Sequence, residues 1–110
     1  MKDIIRKRGD TYADEFKIVS DTTGSVIDIT DHTFLLTVDP EEKPTDTTNN
    51  IFQITGVITE ASNGLVSFTP TVAQADNLGN FFYDLQMTEP DGKIRTIESG
   101  VFEIVQDITK

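Results

Sequence analysis

The chain has 110 residues, a formal net charge of -10 from 19 acidic and 9 basic side chains, and no cysteine. That length suits one domain, residues 1–110, with enough apolar surface to fold without staples. The charge repels phosphate backbones and anionic lipid heads, so nucleic acid and membrane are not expected as partners. The missing cysteines exclude disulfides and thiolate metal sites.

The N-terminus reads Met1-Lys2-Asp3-Ile4-Ile5-Arg6-Lys7 and turns charged too early for a secretory signal. No apolar run approaches the ~20 residues that span a bilayer. Synthesis in a cytoplasm is therefore expected. The first strand runs Asp3–Lys7 and stops at Gly9-Asp10. Its basic residues, Lys2, Arg6, Lys7 and Arg8, form either a solvated strand face or a patch for an acidic partner.

A second strand covers Thr11–Val19, with Phe16 and Ile18 on one face and Glu15 and Lys17 on the other. Asp21-Thr22-Thr23-Gly24 is a turn. A short strand at Val26–Ile29 and a corner at Asp28–Asp31 follow. His32–Val38 alternates cleanly: His32, Phe34, Leu36 and Val38 share one face. Pro40–Asn50 has nothing to bury and reads as a long, mobile loop.

Ile51–Thr59 is the next strand, with Gly56 marking a bulge or a close backbone approach. Asn63-Gly64 predicts a type I′ hairpin returning through Leu65–Thr69. Pro70–Leu78 breaks the alternation and predicts a short helical turn that bridges two sheets. Asn80–Thr88 places Phe81, Tyr83, Leu85 and Met87 inward and Phe82, Asp84 and Gln86 outward. Pro90-Asp91-Gly92 is a tight turn, Lys93–Ile97 returns, Ser99-Gly100 makes a kink or bulge, and Val101–Val105 closes the domain.

About eight short strands at a period of two, joined by hairpin turns, predict an all-β fold. The expected architecture is an antiparallel, immunoglobulin-like β-sandwich with one short helical turn. The Cys–Trp–Cys core of antibody domains is absent, so that likeness is architectural.

Catalytic patterns are weak. His32 is the lone histidine, and its inward phase suits a structural role. No Gly-x-Ser-x-Gly element occurs. Two carboxylates at glycosidase spacing will arise by chance among 19 acids, but a small sandwich has little room for a sugar cleft. Asp39, Glu41, Glu42 and Asp46 in one loop, or Asp21, Asp28 and Asp31 at an edge, could supply oxygens to calcium. Neither set matches a regular calcium loop, and solvated acids are the simpler reading. Arg8-Gly9-Asp10 spells an adhesive tripeptide, but a match this short arises often by chance, and Gly9-Asp10 reads as the turn between strands one and two. No enzyme activity, cofactor or resident metal is expected.

What remains is contact. Phe82, outward beside Phe81 and Tyr83, fits a subunit contact better than a sugar platform. Ile4 and Ile5 amid charge form either an inner strand or an edge that pairs with a neighbouring chain.

The order of short motifs along nearly the whole chain resembles a family. Lys7-Arg8-Gly9-Asp10-Thr11 precedes a strand, and Ile27-Asp28-Ile29-Thr30 and Phe34-Leu35-Leu36-Thr37-Val38 follow. Then come Gly64-Leu65-Val66-Ser67-Phe68-Thr69-Pro70 and Gly79-Asn80-Phe81-Phe82-Tyr83-Asp84-Leu85. The end reads Asp91-Gly92-Lys93-Ile94-Arg95-Thr96-Ile97, Gly100-Val101-Phe102-Glu103-Ile104 and Asp107-Ile108-Thr109. This order is similar to small immunoglobulin-like virion proteins of tailed bacteriophages, and to the N-terminal domain of phage baseplate upper proteins. Asp31 stands where that family usually has a corner glycine, and the Pro40–Asn50 loop is long for it.

The resemblance implies a non-enzymatic virion protein, made in the host bacterial cytoplasm and used as a tail, baseplate or fibre-attachment adaptor. Its implied partners are other phage virion proteins and further copies of itself. Ile4, Ile5, Arg6, Arg8, Phe82 and the Pro40–Asn50 loop are the contact residues expected on that reading. The competing readings are a carbohydrate- or host-surface-binding module using loop tips such as Thr45–Asn50 and Ser62–Gly64, and a capsid decoration protein.

Overall fold

A computed structural model describes residues 4–7, 13–20, 22–41 and 50–106. The described chain is an all-β sandwich of two sheets. The strands are β1 (Ile4–Lys7), β2 (Asp14–Lys17), β3 (Thr33–Asp39), β4 (Phe52–Thr55), β5 (Val57–Glu60), β6 (Leu65–Phe68), β7 (Gly79–Thr88) and β8 (Ile94–Val105). One sheet has the order β1-β8-β7-β3-β4 and the other β2-β6-β5.

Period-two alternation builds the core as the sequence predicts. Phe34, Leu36 and Val38 of β3, Tyr83, Leu85 and Met87 of β7, and Phe102 and Ile104 of β8 are buried. Phe16, Val66 and Phe68 face them from the smaller sheet. Burial of each such side chain contributes on the order of 1.5–3 kcal/mol. Phe16 reaches across to Tyr83, with ring centroids 6.4 Å apart. The five-stranded sheet curls enough that Phe52 of β4 and Phe102 of β8 meet edge to face at 5.8 Å, although β3 and β7 lie between their strands.

The expected bridge between sheets is α1 (Val72–Ala75), which leads from β6 to β7. A capping box starts it: the Thr71 hydroxyl accepts from the Gln74 N–H at 3.1 Å, and the Gln74 side chain accepts from the Thr71 N–H at 2.9 Å.

Several local expectations are corrected. The pairing is not wholly antiparallel: β1 runs parallel to β8, from Ile4 opposite Phe102 to Lys7 opposite Val105. The span read as one strand from Ile51 to Thr59 is two strands in different sheets, β4 and β5, parted at Gly56. A Cβ there would sit 2.8 Å from the Phe68 ring and the Val66 methyl, so only glycine lets the backbone pass over the core as it changes sheet. The β5–β6 hairpin turns through a 3-10 segment, Ala61–Asn63, rather than a type I′ turn. Gly64 follows it in the left-handed region at φ 69°, and a side chain there would strike the Ile18 carbonyl at 2.7 Å.

Val26–Ile29 makes a single bridge, Val26 to Val19, instead of a strand. Asp28 turns the chain by accepting from the Thr30 N–H and hydroxyl, and the Ile29 N–H goes to the Ala61 carbonyl. The final two strands are one, β8. Its bulge is not at Ser99-Gly100, which stay in the ladder opposite Asp84 and Tyr83. Leu85 faces Glu98 and Gln86 faces Thr96, which leaves Ile97 as the extra residue. His32 is not in the buried row of β3. It sits half-buried just before the strand, with Nδ1 3.0 Å from the Thr30 carbonyl.

Candidate binding surfaces

The contact residues read from the sequence separate when the strands form. In β1, Ile4 and Arg6 point inward and are buried, so their side chains are not available as first contacts. The reason is register: β1 lies on the sheet with alternate residues against the core. Arg6 forms an ion pair with Asp14 of β2 in the opposite sheet. Ile5 points away and is 65% exposed. Arg8, and with it the Arg8-Gly9-Asp10 tripeptide, lies outside the described residues, as do residues 42–49 of the long loop.

Phe82 lies on the outer face of the five-stranded sheet and is half-buried. It stands opposite Val101 of β8 and Asp39 of β3. On β8, Val101 is two residues from Glu103, which faces Ile5. Ile5, Val101 and Phe82 therefore form an apolar diagonal across β1, β8 and β7. Asp84 follows Phe82 on the same face, between Ser99 and Thr37. Burial raises its carboxyl above the ordinary value of 3.8. A half-buried acid beside an aromatic ring is a desolvated group that gains from a donor or cation supplied by another molecule.

Asp39 is a residue whose role the sequence did not disclose. As one of the loop acids it was a candidate calcium ligand, yet it is buried at the end of β3. Its carboxylate accepts from the Glu41 N–H at 2.8 Å and from Asn50 Nδ2 at 2.6 Å. It thus clasps both ends of the long loop. The burial comes from tertiary contact, which no local pattern around Asp39-Pro40 reports. Asp28 is likewise engaged, and its hydrogen bonds from Thr30 hold its carboxyl below 3.8. Asp31 supplies a backbone conformation, at φ 62°. Among the described residues, no group of three or more His, Asp or Glu side chains could hold a metal ion.

A second feature was absent from the sequence reading. A cleft of about 330 Å³ opens at the seam between the sheets. Residues 16–20, the end of β2 and its continuation, form one wall, and residues 95–98 of β8 form the other. Leu85 and Met87 are among its apolar lining residues, and Lys17, Arg95 and Glu98 are its charged ones. Its signal in the sequence was slight: Arg95 and Glu98 take the core-facing positions opposite Met87 and Leu85, where an apolar pattern was expected.

Among known proteins, no family model and no curated protein matches the chain. No helix among the described residues is long and apolar enough to cross a membrane.

Proposed function

We propose that the chain is a non-enzymatic assembly domain of a bacteriophage virion, a tail, baseplate or fibre-attachment adaptor that works through protein–protein contacts. Two lines support it. The first is the ordered series of motifs from Lys7-Arg8-Gly9-Asp10-Thr11 to Asp107-Ile108-Thr109, which resembles that family over nearly the whole chain. The second, and the observation that carries the reading, is the apolar diagonal of Ile5, Val101 and Phe82 beside the desolvated Asp84. An apolar patch of that kind on a sheet face matches the core of a subunit contact, where aromatic and aliphatic groups are enriched. The partner is a second copy of the chain or another virion protein, and symmetric self-assembly is the commoner arrangement.

Light scattering on the purified protein at several concentrations tests this. A defined oligomer whose mass falls to the monomer with Phe82→Ala and with Ile5→Asp is the expected result. A monomer at every concentration, unchanged by either substitution and showing saturable binding on a glycan array, overturns it in favour of a carbohydrate-binding module.

A further inference from the structure

The turn between β5 and β6 is a meeting point of backbone hydrogen bonds. Gly64 closes the 3-10 segment Ala61–Asn63, and its N–H donates to the Ala61 carbonyl at 3.1 Å. Its own carbonyl accepts from the Ile18 N–H at 2.8 Å. The Ala61 carbonyl also accepts from the Ile29 N–H at 3.0 Å. Ile18 and Ile29 both belong to the core. The turn thus anchors the two ends of the stretch that leads from β2 towards β3.

The two residues at the end of this turn differ sharply in surroundings. Gly64 is buried, and an added Cβ would lie 2.7 Å from the Ile18 carbonyl oxygen and 3.0 Å from that of Ile27. Asn63 is exposed, and its side-chain amide donates to Glu60 Oε1 at 3.4 Å, a weak bond. An asparagine before a glycine is open to attack by the next main-chain nitrogen, because no Cβ shields that nitrogen. The other described asparagines, Asn50, Asn77 and Asn80, precede Ile51, Leu78 and Phe81, whose side chains do shield it. Asp91-Gly92 shares the glycine, but a carboxylate resists such attack.

We propose that Asn63 is a site of spontaneous deamidation whose rate is set by opening of the Ala61–Gly64 turn. The Gly64 nitrogen, having lost its proton to base, attacks Asn63 Cγ. The new nitrogen–Cγ bond forms, the Cγ–Nδ2 bond breaks, and ammonia leaves with a proton taken from water. Water then opens the cyclic imide. Breaking the new bond to Cγ leaves aspartate in a normal chain. Breaking the original bond to the Asn63 main-chain carbonyl leaves isoaspartate, whose main chain runs through Cβ and Cγ and is longer by a carbon. In the folded chain the attacking nitrogen is tied to Ala61, and the Gly64 carbonyl is held by Ile18. A turn that must open at a cost of only ~1.4 kcal/mol slows the attack about tenfold. The isoaspartyl product lengthens the chain where Gly64 has no room to move, so it breaks the links to Ile18 and Ile29. The aspartyl product changes only an exposed side chain. This chemistry is independent of the assembly reading.

The test follows the amide-to-acid mass gain at Asn63 by mass spectrometry of digests, in mildly alkaline buffer. The intact folded protein is compared with the protein unfolded in urea and with a capped peptide of residues 59–69, the peptide in both solvents. Unfolded protein and peptide should react alike. The folded protein should be slower by a factor at least as large as the protection of the Gly64 amide against hydrogen exchange, since the N–H that exchanges belongs to the nitrogen that attacks. Asn63→Gln, which cannot form the five-membered ring, should gain no such mass at that position. The aged chain, refolded and separated into its two products, gives the second readout. The isoaspartyl form should lose exchange protection at the Ile18 and Ile29 amides, and Asn63→Asp should keep it. No mass gain at Asn63 in the peptide, a gain at another asparagine in its place, or an equal gain in Asn63→Gln would overturn the proposal. So would a folded-state retardation smaller than the Gly64 protection, or an isoaspartyl form with Ile18 and Ile29 still protected.

Discussion

Arg6 and Asp14 form an ion pair across the seam, joining β1 of the five-stranded sheet to β2 of the three-stranded sheet. Arg6 is 1% exposed and Asp14 18%, so the cation is inside while its partner reaches the rim. Removing one member of such a pair strands the other in a low-dielectric site. Arg6→Ala should cost about 3 kcal/mol, the low end for a broken buried pair, because Asp14 keeps some solvent. Arg6→Met with Asp14→Leu should recover much of that loss, since apolar groups of similar volume replace buried pairs well. Urea unfolding midpoints of the three proteins at neutral pH provide the comparison. An unchanged midpoint in Arg6→Ala would show that the seam does not depend on the pair.

Gly56 is where one chain segment leaves the larger sheet for the smaller. A methyl group there meets the Phe68 ring and Val66, both fully buried. Gly56→Ala is expected to destabilise by about 1–3 kcal/mol through overpacking. Gly92→Ala, at an exposed turn with open space around the position, separates crowding from backbone strain, because its φ of 93° makes it costly for the second reason only. Combining Gly56→Ala with Phe68→Leu should lessen the Gly56→Ala penalty if crowding causes it. Thermal or urea unfolding of the single and double variants measures this coupling.

Asp31 holds φ 62°, a left-handed conformation in which an L side chain crowds the following carbonyl. Asp31→Gly should raise stability by about 0.5–1 kcal/mol, the relief of strain being partly offset by a freer unfolded chain. Asp31→Val should lower it, since β-branched residues tolerate this region worst. Calorimetric melting of both variants checks the sign.

Burial raises the Asp84 carboxyl above 3.8, so the folded state holds its proton more tightly than the unfolded state does. Between 3.8 and the folded value, the folded chain carries more protons, and stability falls as pH rises. The penalty is complete above the folded value and vanishes below 3.8. Asp84→Asn should therefore be more stable than the parent near neutral pH and lose that advantage on acidification through this window. Asp28 acts in the opposite sense. Its carboxyl is lowered by the hydrogen bonds from Thr30, so its contribution is present above 3.8 and is lost as pH falls through the lower folded value. Unfolding curves of Asp84→Asn and Asp28→Asn across the acid range, each against the parent, distinguish the two directions.

The amino-acid order alone determined the strands and their faces. Alternation in Phe34-Leu35-Leu36-Thr37-Val38 and in Phe81–Met87 dictates which side of each strand is buried, because a strand repeats every two residues. The absence of cysteine and the excess of acids bounded the chemistry in the same direct way. Phe82 was legible as an outward apolar group for the same reason, whereas which of Ile4 and Ile5 faces outward was settled by the pairing of β1 with β8. Which groups meet across the sandwich was decided by the tertiary structure. Arg6 looks like a surface cation and is buried against Asp14; Asp39 looks like a loop acid and is buried as a clasp for Asn50 and Glu41. Gly56 was readable as a close approach, but the change of sheet there was not. The parallel placement of β1 and the cleft it leaves beside Ile94–Ile97 were likewise hidden. Each of these depends on partners far apart in sequence, so the energy that selects them is available only once two sheets have come together.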